Sequence, residues 1–80
     1  MNEQEILSQR IQYYCKLRRF SYYKLANRSA VPINTVLHIV SGVTANPGIF
    51  TVAKLCSGLD ITLMEFFDTE EFENMEYDLD

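Results

Sequence analysis

Histidine, cysteine, glycine and proline are all scarce in this chain. It has 1 His, 2 Cys, 3 Gly and 2 Pro in 80 residues. One His with two widely separated Cys does not make a zinc site, so no metal is expected. No glycine-rich phosphate loop is present and no nucleophile stands beside His38, so neither a cofactor nor an enzyme activity is expected. No apolar run approaches the ~20 residues of a membrane span. The opening residues Met1-Asn2-Glu3-Gln4-Glu5 are acidic and polar, unlike a signal peptide. The expected compartment is therefore the cytoplasm. There Cys15 and Cys56, each inside an apolar periodic segment, serve as small reduced core residues. Internal repeats and strand-type alternation are missing too. The length excludes a TIM barrel or a doubly wound nucleotide-binding fold.

Apolar residues make up 48% and charged residues 22%, the values of an ordinary globular domain. A single domain of this size should have a stability of about 4–12 kcal/mol. The formal net charge of −4 conceals a segregation. Residues 1–48 carry six basic residues (Arg10, Lys16, Arg18, Arg19, Lys24, Arg28) against Glu3 and Glu5. Residues 49–80 carry Lys54 against nine acidic residues. An acidic protein repels nucleic acid as a whole, but its basic half can dock locally.

The periodicity predicts five short helices. Helix 1 runs from about Glu3 to Arg18, with Leu7, Ile11 and Tyr14 on one face. Ser21 caps helix 2, about Tyr22 to Arg28, and Phe20 stands where a hydrophobic staple onto Leu25 would. Ser29-Ala30-Val31 is a turn. Pro32 suits the start of helix 3, about Ile33 to Val40, with Val36 and Ile39 inward. Gly42 offers a left-handed end. Residues 43–48 form a loop, and helix 4 runs from about Ile49 to Leu59. Thr62 and Glu65 form a capping box for helix 5, which ends near Phe67. Residues 68–80 hold seven acidic residues and no basic one. Phe72, Met75 and Leu79 are spaced for an amphipathic helix on a partner. Taken alone the tail is expected to be frayed, with the partner-bound helix as the alternative, and the division is a domain over 1–68 and an acidic tail over 69–80.

Two short helices joined by a tight turn outline a helix-turn-helix. The residues are Phe20-Ser21-Tyr22-Tyr23-Lys24-Leu25-Ala26, Ser29-Ala30-Val31, Asn34-Thr35-Val36, Ile39 and Ser41-Gly42. They are followed by Asn46-Pro47-Gly48, Thr51-Val52-Ala53-Lys54-Leu55-Cys56, Gly58-Leu59 and Ile61-Thr62-Leu63-Met64-Glu65-Phe66-Phe67. In order and spacing this series resembles the phage-repressor and Cro-like (XRE-type) helix-turn-helix regulators, over about residues 6–68. The resemblance implies an all-α, compact five-helix lambda-repressor-like domain. It also implies a sequence-specific, dimeric transcriptional regulator acting on double-stranded DNA, with helix 3 in the major groove.

Carried onto this sequence, the DNA-binding positions are Tyr22, Ile33, Asn34, Thr35, His38, Thr44 and Asn46, with Leu37 nearby. Asn34 can bond an adenine edge in bidentate fashion, and Ile33 can contact a thymine methyl. His38 lies one turn beyond Asn34 and can reach a base or a phosphate. Thr35 can hold a phosphate, and Tyr22 can do so beside the start of helix 2. Arg10 corresponds to an arginine that the family pairs with a late helix-3 Glu. Val40 occupies that place, which leaves Arg10 another acceptor, solvent or a phosphate. Helix 3 contains no Lys or Arg, and the loop after Gly42 reads Val43-Thr44-Ala45.

Each feature has a plainer reading. Asn34 could simply help cap helix 3, and the cations could form a solvated face. Leu37, Val40 and Phe50 could be covered by the domain's own loops or form an apolar patch. The rival function is a protein-interaction module on the same scaffold, docking a regulator through that patch and the acidic tail.

Overall fold

The computed structural model describes residues 2–43 and 46–75. Among them are six helices and no strand. They are α1 (Glu3–Arg18), α2 (Tyr22–Ser29), α3 (Ile33–Val40), α4 (Ile49–Leu59), α5 (Leu63–Phe67) and α6 (Glu70–Glu73). The local signals account for the starts. Asn2, Ser21 and Thr62 each accept the N–H of the third residue along, at 2.9, 3.0 and 3.0 Å. Glu65 completes the box by accepting the Thr62 N–H at 3.1 Å. At α3 the Pro32 carbonyl takes the N–H groups of Thr35 and Val36, and no side chain caps this end.

Four helices end in the same way. Arg19, Ala30 and Asp60 follow α1, α2 and α4 at φ 59°, 53° and 59°, and Gly42 follows α3 at φ 79°. The next N–H then reaches back five residues: Phe20 to Cys15, Val31 to Ala26, Val43 to His38 and Ile61 to Cys56. This left-handed closure satisfies carbonyls that the helix leaves open. Only one of the four sites has a glycine, so three carry a Cβ in a conformation that opposes it.

Leu25, Val36, Leu59 and Phe66 are fully enclosed, and Ile11, Ile39, Leu55 and Cys56 nearly so. Ile33 and Val40 of α3 and Phe20 and Tyr22 beside α2 pack on the edge of this core. The most extensive helix contact joins α2 to α4. It is close because Gly58 lacks a side chain: a Cβ there would lie 2.0 Å from the Ser29 hydroxyl oxygen. Among the described residues that buried hydroxyl has no hydrogen-bond partner. Ser8 of α1 donates to the Val40 carbonyl, and Gln12 donates to Ser8 at 2.9 Å, which ties α1 to α3.

The helix count is six, not five. Phe72 supplies the reason. Its ring centroid lies 4.8 Å from that of Phe67 and 6.0 Å from that of Phe66. Thr69 caps the added turn by accepting the Phe72 N–H at 3.2 Å. Residues 70–73 thus form a helical turn where a frayed tail was expected, while Leu79 lies outside the described residues. Both cysteines are free and buried. Burial pushes the Cys56 thiol up to about 11 and raises that of Cys15. Among the described residues no helix is long and apolar enough to cross a membrane.

Candidate nucleic-acid interface

Helix α3 buries Val36 and Ile39 and turns Asn34, Leu37, His38 and Ser41 outward. Residues 34, 38 and 41 are spaced as neighbours along one face. Asn34 is exposed, and its amide makes no hydrogen bond among the described residues. It does not cap α3, because Pro32 serves that end. The side chain of His38 is likewise exposed, and only its carbonyl is engaged, by the Ser41 hydroxyl at 3.3 Å. Leu37 keeps 37% of its surface. Leu37 thus lies between two exposed polar side chains on this face.

The other sequence-predicted positions divide. Ile33 and Thr35 are half-buried, and Ile33 leans on the core. Tyr22 is also half-buried against the core. Desolvation raises its hydroxyl pKa, and the neighbouring Cys15 adds to the effect. Asn46 is exposed in the loop before α4, and Thr44 lies outside the described residues. Asn34 and His38 therefore share one face with Leu37. Tyr22 belongs to the rim of that face.

A groove beside α3 holds residues that the sequence reading missed. Gln12, Lys16, Tyr22, Tyr23 and Leu37 line it. This puts Lys16 of α1 and Tyr23 of α2 next to the outward side of α3. Tyr23 is 68% exposed and sets a second tyrosine hydroxyl beside the half-buried Tyr22. No local spacing links Lys16 to Leu37, since the link is made by α1 packing on α3. One signal was present in the sequence. Between Ile6 and Leu59 there are seven basic residues and no acidic one. The helices that build this surface therefore carry no carboxylate side chain beyond the first turn of α1.

Three arginines of that stretch are engaged elsewhere. Arg10 donates to the carbonyls of Phe66 and Glu65, both at 2.6 Å, and to the Tyr14 hydroxyl at 3.2 Å. Its guanidinium carbon sits 4.7 Å from the centroid of the Tyr14 ring. Arg18 donates to the Leu59 carbonyl at 3.0 Å and Arg28 to the Gly58 carbonyl at 2.7 Å. All three thus hold helix C-termini, where the open carbonyls favour a cation. Of the three destinations open to Arg10, the fold selects another acceptor. Lys16, Arg19, Lys24 and Lys54 donate no side-chain hydrogen bond among the described residues. The Lys24 ammonium lies 4.9 Å from the Phe20 ring centroid.

No protein-family model matches the chain, and neither a curated protein nor a solved structure matches it.

Proposed function

We propose that the chain is a sequence-specific DNA-binding transcriptional regulator that acts as a dimer. In this reading α2 and α3 form a helix-turn-helix of the phage-repressor and Cro-like kind, and α3 enters the major groove. One observation carries the reading. The outward face of α3 presents Asn34 and His38 without hydrogen-bond partners among the described residues, its Leu37 lines one groove with Lys16, and the stretch is free of acidic residues. Tyr23 and the unengaged lysines Lys16 and Lys24 then stand as phosphate contacts, and the α3 side chains meet base edges. The acidic residues of α6 would lower affinity for DNA at random.

The test is fluorescence anisotropy of the full chain on random duplexes at about 50 and 200 mM salt. Two lysine–phosphate pairs per copy, four in a dimer, would weaken binding about 10²-fold over that range, since the neutral Tyr23 hydroxyl adds nothing to the salt dependence. Two half-sites one helical turn apart should bind far more tightly than one. Equal affinity for one and two half-sites would remove the dimer from the reading.

A second reading is favoured by a different observation. Val43, Ile49 and Phe50, at the entry to α4, are 72%, 57% and 79% exposed. Such residues suit a protein-interaction module. Absence of duplex binding at low salt would transfer the reading to this surface.

A further inference from the structure

The chemistry of the α3 face is narrow enough to say which bases it would read. Guanine is recognised most often by Arg or Lys, whose paired donors match its O6 and N7 acceptors. Helix α3 has neither residue. The arginines Arg10, Arg18 and Arg28 are held by helix carbonyls, and the unengaged Lys16, Arg19 and Lys24 lie on α1, on α2 or between them, off the helix that meets the bases. The two ring nitrogens of His38 point apart, whereas Asn34 is the exposed α3 side chain whose donor and acceptor stand side by side on one amide, as a bidentate contact requires. That pair complements adenine N6 and N7 and fits no other base edge in the major groove as well. Leu37 has no polar atom, so a thymine methyl is the one major-groove feature it can favour. His38 offers single hydrogen bonds and imposes less choice.

Resting on the DNA-binding reading, we infer that each copy recognises a half-site centred on A·T pairs. Asn34 takes an adenine and Leu37 covers a neighbouring thymine methyl. The half-site then contains no guanine held by a bidentate contact. Specificity comes from the amide and the methyl, while Lys16, Tyr23 and Lys24 supply sequence-independent affinity.

The experiment is selection of tight binders by the full chain from a pool of random duplexes, followed by binding to single-pair variants of the selected site. Exchange of the Asn34-read A·T pair for G·C should weaken binding about 5- to 150-fold. The Asn34→Ala chain should reduce that ratio to about twofold or less. Asn34→Asp keeps the shape but replaces the donor by an acceptor, and should move the preference there from adenine to cytosine. Deoxyuridine in place of the contacted thymidine should weaken binding about fourfold, the effect of one buried methyl. The Leu37→Ala chain should not distinguish the two. Asn34 makes no hydrogen bond within the fold, so helical circular dichroism should be unchanged in its variants. Salt-sensitive binding with a G·C-centred selected site overturns this inference and leaves the regulator reading standing. Absence of salt-sensitive duplex binding overturns both.

Discussion

Arg10, Arg18 and Arg28 each reach across at least thirty residues of sequence to a main-chain carbonyl at the end of α4 or α5. Asn34 and His38 on α3 reach nothing within the fold. The two regions have opposite chemistry. On the first, charge is used to close helix ends, and each guanidinium donates to at least one main-chain carbonyl. On the second, weaker polar groups are left open on a rigid helix. A strong donor satisfied by its own fold stabilises the molecule, and an unsatisfied one is available to another molecule. Sequence reading that counts cations cannot separate these two uses.

The contrast can be broken most severely at its structural side. Phe66 is fully buried, and its carbonyl accepts from Arg10. Phe66→Ala should cost about 3–5 kcal/mol, measured by urea unfolding, and Phe72 should lose its seat on the aromatic cluster. Gly58→Ala comes next. Its new Cβ would meet Ser29 side-chain and main-chain atoms, at 2.0 to 3.1 Å, so α2 and α4 must separate. A loss of about 1–3 kcal/mol is expected, against the modest gain that alanine normally gives inside a helix. A smaller loss than that of an ordinary surface substitution would mean that the helices shift freely.

Arg10→Met sharpens the contrast directly. It keeps much of the stem but leaves two carbonyls of α5 to water, and should cost about 1–2 kcal/mol in the same assay. Asn34→Ala and His38→Ala should change stability by no more than about 0.5 kcal/mol. If the α3 substitutions destabilise as much as Arg10→Met, the face is structural. One substitution should give a gain. Ala30→Gly relieves a left-handed residue at φ 53° in the turn between α2 and α3. It should raise stability by up to about 1 kcal/mol and the midpoint of thermal unfolding by a few degrees.

The helices were legible because their signals are local. Ser21, the Thr62–Glu65 box and Gly42 act within one turn of the chain they punctuate. Core faces were legible for the same reason, since a spacing such as Leu7, Ile11 and Tyr14 fixes one side of a helix. The additional turn of α6 was missed because Phe72 has little reason to order the chain until Phe66 and Phe67 present their rings. Tyr22 and Tyr23 are adjacent and equal in chemistry. Which of them turns outward follows from how α2 packs on α4 and α3.

The amino-acid sequence by itself determined five helix spans, the caps that start three of them and the absence of acidic residues from Ile6 to Leu59. Each depends on contacts between near neighbours or on composition alone. Tertiary structure decided which cations remain available, which tyrosine faces outward, how closely α2 approaches Gly58 and that Lys16 lies beside Leu37. Those outcomes depend on pairs of residues far apart in the chain. Their side chains meet only after the helices have packed, when burial and hydrogen-bond satisfaction over the whole core select one arrangement.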